Sequence, residues 1–122
     1  MEFGDSNAIY LQIADQLCEN ILLNKWNPGD RIPSVRELAV SIEVNPNTVM
    51  RTFNYLQDKG IIYNKRGIGY FVSDDGFEKT MDLRKEDFVN HELPKFFKAM
   101  SLLNLNMDDV NTYYKQFSST NS

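Results

Sequence analysis

The sequence predicts a mainly α-helical fold with one small β-hairpin: two helices around a tight turn, the hairpin directly after them, then a short helical tail. Three observations point there. Apolar residues recur at helical spacing through three separate stretches of the first half of the chain. Two helix-start signals, Ser34 with Glu37 and Asn45 with Pro46, lie so close together that little more than one short helix and a turn fits between them. After Gly60 the period changes, and Ile61-Ile62-Tyr63 and Tyr70-Phe71-Val72 are β-branched and aromatic runs on either side of a glycine-containing turn.

The first helix is expected from about Ile9 to Asn24. Ile9, Ile13, Leu17 and Ile21 repeat every four residues with Ala14 and Cys18 beside them, while Gln12, Asp15, Gln16, Glu19 and Asn20 form the wet face. Trp26 reads as a packing anchor. Asn27-Pro28-Gly29-Asp30 then places proline and glycine at the second and third positions of a type II turn. Arg31-Ile32-Pro33 is extended, because proline biases its predecessor away from helix. Ser34 and Glu37 form a capping box that opens the second helix, whose Val35, Leu38, Ala39 and Ile42 face inward and leave Arg36 outside. Glu43-Val44 is the turn.

The third helix organises the rest. Asn45 is its N-cap, Pro46 occupies the first helical position, and Gly60 supplies the left-handed stop. Val49, Phe53 and Leu56 make its apolar stripe. The opposite face carries Asn47, Arg51, Asn54 and Asp58, flanked by Thr48 and Tyr55. Amides, a hydroxyl and a guanidinium at the front of an exposed helix are the groups that read base edges in a major groove. The candidate DNA-contacting residues of this helix are therefore Asn45, Asn47, Thr48, Arg51, Asn54 and Tyr55. Two helices around so tight a turn form a helix-turn-helix. The following hairpin, with Asn64 to Gly69 as its turn and Lys65, Arg66 and Gly67 at its tip, makes it a winged one, and Lys65 and Arg66 are expected to meet phosphates.

Ser73-Asp74-Asp75-Gly76 is a polar break, taken as a boundary between a 1–73 winged helix-turn-helix and a 74–122 helical dimerisation tail. Phe77 and Met81 start a weak stripe in the tail, and Pro94 should kink or split its helix near His91–Leu93. Asn104 is a left-handed stop, Asn106 caps a last helix, and Ser118 to Ser122 are expected to fray. Phe88, Leu93, Phe96, Phe97, Met100, Leu103, Val110, Tyr113, Tyr114 and Phe117 give the tail more apolar surface than so short a segment can enclose. Covering it with a second copy predicts a homodimer, with no drug-sized pocket of about 300 Å³ enclosed within one tail.

Charge is unevenly placed. The chain carries a net −4, yet the stretch from Arg31 to Arg66 holds six basic and three acidic residues, a local +3 that leaves −7 to the remainder. This suggests a confined footprint for double-stranded DNA. The one cysteine, Cys18, lies on an apolar helix face, and the one histidine, His91, has no ligand cluster around it. A metal site, a cofactor and an enzyme are therefore not expected. Neither is a membrane span, for want of an apolar run of about 20 residues. Met1 to Asp5 lack the basic and apolar regions of a signal peptide, which predicts a cytoplasmic protein.

Pro33-Ser34-Val35-Arg36-Glu37-Leu38-Ala39, Asn45-Pro46-Asn47-Thr48-Val49 and Gly67-Ile68-Gly69-Tyr70-Phe71-Val72 together resemble the GntR family of bacterial transcription regulators over roughly Tyr10 to Ser73. The Asn-Pro-Asn-Thr-Val run and the short tail resemble its YtrA-like branch, usually dimeric repressors encoded beside ABC-transporter genes. The resemblance implies DNA contact by Arg36, Asn47, Thr48 and Gly67. The chain departs from the family at Pro46 and Met50, where many members carry guanine-reading arginines, a role that would pass to Arg51. It is also far too short to be one of the aminotransferase-fused members. The expected function is a sequence-specific regulator, a repressor acting as a homodimer on a palindromic operator, with any small-molecule effector unknown. The alternative is a winged helix used only for protein–protein contact.

Overall fold

A computed structural model describes residues 8–121, so the signal-peptide reading of Met1 to Asp5 lies outside the described residues. The element order is α1 (Ile9–Leu22), α2 (Val35–Ile42), α3 (Pro46–Asp58), β1 (Ile62–Lys65), β2 (Gly69–Val72), α4 (Gly76–Asp87), α5 (Leu93–Leu102) and α6 (Met107–Asn121), with a π-helical turn at Phe88–Glu92. It is the mainly helical, single-hairpin architecture expected. The chain divides into two compact units, residues 1–85 and 86–122.

In the first unit the helical stripes converge. Ile13, Ala14, Leu17, Cys18 and Ile21 of α1, Leu38 and Ala39 of α2, and Val49, Phe53 and Leu56 of α3 bury together with Ile32, Ile61, Ile62 and Val72. Trp26, Val35 and Ile42 pack against them. Ile9 was expected in this stripe but is 54 % exposed, because the first turn of α1 reaches past the core. Full burial of Phe53 stabilises by roughly 1.5–3 kcal/mol. Burial also pushes the Cys18 thiol up to about 11, with Arg84 opposing and Asp15 adding slightly, so Cys18 is a core residue.

The caps are as read. Ser34 Oγ accepts from Glu37 N–H at 3.0 Å, and Glu37 Oε1 accepts from Ser34 N–H at 2.9 Å. The Ser34 N–H, and after it the Ser34 hydroxyl, hold the Glu37 carboxyl below its ordinary range. The Asn27–Asp30 turn closes with Asp30 N–H donating to Asn27 O at 2.9 Å, and Gly29 has φ +86°. Between α2 and α3 the left-handed position is filled by Glu43 (φ +57°), and Val44 N–H closes the turn on Ala39 O at 3.0 Å.

The hairpin is antiparallel, pairing Ile62 with Val72 through to Lys65 with Gly69. Its turn is narrower than expected. Asn64 and Lys65 belong to β1, and only Arg66, Gly67 and Ile68 form the loop. Residues 30–32 add a short third edge, since Val72 N–H donates to Asp30 O and Ile32 N–H to Tyr70 O.

The composition break after Ser73 precedes α4, yet most of α4 belongs to the first unit. Phe77 and Leu83 pack on its core, Gly76 and Thr80 are buried, and Arg84 pairs with Asp15. In the second unit Pro94 acts as anticipated. Its ring collides with the carbonyl four residues back and it offers no N–H, and the backbone before it widens into the π turn, where Leu93 N–H donates to Phe88 O. Asn104 is left-handed (φ +61°), and Asn106 exchanges caps with Asp109 at 2.9 and 3.0 Å. The expected fraying from Ser118 is not seen. α6 continues to Asn121, whose side-chain amide donates to Phe117 O at 2.9 Å.

Candidate nucleic-acid interface

The outward face of α3 carries Asn47, Arg51, Asn54 and Asp58, all exposed, while Val49, Phe53 and Leu56 fix the opposite face in the core. Asn45 is committed at the start of the helix: its Oδ1 accepts from Asn47 N–H at 2.7 Å. Thr48 is half-buried on the flank. Tyr55 is turned toward α1 and packs on the core, its ring meeting Tyr10 edge-on at 6.2 Å with the Lys59 ammonium 5.6 Å above it. Its first task is to fasten α3 to α1. The Arg51 guanidinium carbon lies 4.0 Å from the centre of the Tyr10 ring. Asn47, Thr48 and Arg51 thus come together with Ala8, Ile9 and Tyr10 around one recess of about 350 Å³.

Arg36 lies elsewhere, in a second recess of about 440 Å³ with Arg31, Ser34, Glu37 and Val40. Arg31, one of the six cations between Arg31 and Arg66, has a structural place that the sequence does not signal. The structure places its side chain across Gly69 of the wing, where a Cβ would lie only 2.8 Å from its Nε. At the wing, Tyr63 stacks on Phe71 at 5.6 Å, and the Lys65 ammonium sits 5.0 Å from the Phe71 ring. Arg66 and Gly67 (φ +77°) are exposed at the tip beside Ile68. Tyr70 reaches α3, its hydroxyl 4.0 Å from the Met50 sulfur and its ring edge-on to Phe53 at 4.8 Å. A helix face of amides and a guanidinium, flanked by a cation-tipped hairpin, can combine base-edge and phosphate contacts.

A family model for bacterial regulatory proteins of the gntR family matches residues 9–72. The chain belongs to the GntR family. It is 36% identical to the uncharacterized HTH-type transcriptional regulator YhcF of Bacillus subtilis, over 95% of this chain and 94% of that one. It is 33% identical to the HTH-type transcriptional repressor YtrA of the same species, over 93% and 86%. Among solved structures it resembles a GntR-family regulator from Bacteroides thetaiotaomicron, with a TM-score of 0.78, 44% identity, and 94% and 100% of the two chains covered. It also resembles the DNA-binding domain of AraR in complex with operator ORR3, with a TM-score of 0.51, 28% identity, and 52% and 77% covered. The chain is therefore a GntR-type transcriptional regulator with a winged helix-turn-helix DNA-binding domain, and its relatives are regulators, not enzymes. No helix among the described residues is long and apolar enough to cross a membrane.

The tail residues fall into two sets. Met100 is buried, and Leu93 and Val110 are half-buried. Phe88, Phe96, Phe97, Leu103, Tyr113, Tyr114 and Phe117 remain exposed, up to 67 % for Leu103. Phe96, Met100, Val110, Tyr113 and Phe117 are among the residues around an open apolar groove of about 410 Å³. This hollow within the tail is of drug size but lies open as a groove, whereas the expectation concerned an enclosed pocket.

Proposed function

We propose that this regulator is a repressor that acts as a homodimer on a palindromic operator, in the cytoplasm, with an ABC-transporter operon as the candidate target. The winged helix-turn-helix, assigned to residues 1–73, contacts DNA, and residues 74–122 dimerise, with α4 also serving as cover for the winged helix. The observation that carries the reading is the exposed aromatic face of α5 and α6, where Phe96, Phe97, Tyr113, Tyr114 and Phe117 are each between 44 and 63 % exposed. A monomer rarely leaves so large a contiguous apolar patch in water. A second copy of the same face covers it by a two-fold axis, and that symmetry suits two half-sites. Pairing also raises the weak affinity of one module. Repression follows the likeness to YtrA, and operator binding follows the likeness to AraR. The target operon rests on the resemblance to the YtrA-like branch.

Within the module, Arg51 is assigned to a base edge, with Asn47, Thr48 and Asn54 beside it. Arg36, Lys65 and Arg66 are assigned to phosphates, and Gly67 lets the wing tip approach the backbone. Arg51→Ala should cost about 1–3 kcal/mol on the operator and relax discrimination at one base pair. The deciding experiment selects bound sequences from a random DNA pool with the full-length protein, alongside light scattering of wild type and Phe117→Glu. A palindrome bound by a species of twice 14.2 kDa, and lost in the variant, is expected. A wild-type mass of one chain at micromolar concentration removes the dimer, and a pool without enrichment leaves protein–protein contact as the use of the wing.

A further inference from the structure

We infer that Tyr10 of α1 is the positioning residue for Arg51: its ring is a platform that pre-orients the guanidinium for a base edge, so that α1 sets the specificity of α3. The inference rests on the reading that Arg51 touches a base. A solvent-facing arginine on a helix samples many rotamers, and ordering it on DNA carries an entropy cost that weakens and blurs readout. Here the guanidinium already lies 4.0 Å over an aromatic ring. Such a contact engages the cation through the ring face and consumes none of its five N–H donors. Arg51 makes no hydrogen bond or salt bridge to another described residue, so the donors that would take a guanine pairwise remain available.

The platform is itself fixed. The Tyr10 ring meets Tyr55 edge-on at 6.2 Å and 78°. The Tyr10 carbonyl accepts the Thr52 hydroxyl at 2.7 Å, and Thr52, next to Arg51 in the chain, is fully buried. The platform and the side chain it supports are therefore registered by a part-buried bond between α1 and α3. Tyr10, Asn47, Thr48 and Arg51 line the same recess, so an ordered Arg51 is held beside the other outward groups of α3.

The test uses full-length protein and the sequence it selects from the random pool. Discrimination is the ratio of affinity for the selected site to affinity for sites changed at one base pair. Arg51→Ala identifies the base pair that Arg51 reads. Tyr10→Leu is then expected to lower discrimination about five- to tenfold at that pair alone, with affinity for random DNA and the salt slope unchanged. Tyr10→Phe keeps the ring and should keep wild-type discrimination. Tyr10→Leu combined with Arg51→Ala should be no worse than Arg51→Ala. Tyr10→Met supplies the same measurement if the leucine variant fails to fold. Undiminished discrimination in the ringless variants, or an equal loss on every sequence, overturns the positioning role while Arg51 stands as the reader. Arg51→Ala with intact discrimination at all pairs overturns the base-reading assignment and the positioning role with it.

Discussion

Replacing Gly76 with alanine tests how α4 is joined to the winged helix. Gly76 opens that helix against the base of the hairpin, and a Cβ there would lie 2.8 Å from Val72 Cγ1 and 2.9 Å from the Ile61 carbonyl oxygen. Neither neighbour retreats cheaply. Val72 is fully buried and β-branched, hence stiff at χ1, and the Ile61 carbonyl is fixed by the Ser73 N–H at 2.9 Å. Gly76 is not among the positive-φ glycines, so alanine meets no backbone strain. Helix propensity alone would favour it by up to about 1 kcal/mol, less in a first turn. Overpacking a rigid site costs about 1–3 kcal/mol. The balance is a loss of about 1–2 kcal/mol. At about 4–8 °C per kcal/mol for a unit of this size, the melting temperature should fall by roughly 5–15 °C. Trp26, the single tryptophan, packs on the core of the same unit, so its fluorescence reports the transition. A melting temperature at or above wild type would refute the reasoning, because it would mean that α4 lifts from the hairpin base at no cost.

Glu43 holds the left-handed position between α2 and α3 (φ +57°), where a side chain is strained, so Glu43→Gly should raise stability by about 0.5–1 kcal/mol in urea denaturation; a loss would show that the glutamate side chain contributes more than its backbone costs. Cys18 adds a pH dependence. Its thiol is raised by burial to about 11, so the folded state keeps a proton that the unfolded state releases. That stability is fully present below the ordinary thiol range and is lost as pH rises toward about 11. Wild type should lose about 2–3 kcal/mol more than Cys18→Ala between about pH 8 and 11, and parallel curves would contradict it.

The parts of the fold legible in the sequence are those set by chain neighbours. Ser34 with Glu37, Asn45 before Pro46, and Asn106 all cap within a few residues, so residue type and spacing suffice. Pro94 and Asn104 act locally for the same reason. The hairpin turn is narrower than its composition suggests, because register depends on where both strands pair, which composition does not specify. The candidate site divides likewise. Helical periodicity places Asn47, Arg51 and Asn54 outside, but nothing local says that Arg51 meets Tyr10 or that Arg31 lies over Gly69, since both pairs are distant in sequence. One signal was present. Thr52 interrupts the apolar face of α3 between Val49 and Leu56, and a hydroxyl there requires a buried acceptor, which turns out to be the Tyr10 carbonyl.

Salt dependence provides the last prediction. If the proposed DNA contacts hold, each module offers Arg36, Lys65 and Arg66 to phosphates, with Arg51 reserved for a base. Three neutralised phosphates give a slope of about −3 in log K against log salt per module, and about −5 for a dimer on its full site. A chain with net charge −4 adds no general attraction to a polyanion, so affinity should depend closely on these few cations. The two wing cations are not equivalent. Lys65 already rests over Phe71, which shortens its reach, whereas Arg66 stands at the loop tip. Replacing both with alanine should weaken binding to every sequence and flatten the slope by about 1–2 units per module, with Arg66→Ala alone accounting for most of it. Filter-binding or anisotropy titrations across a salt series measure this directly. An unchanged slope in the double variant would place the wing away from DNA and leave the phosphates to the recess at the start of α2.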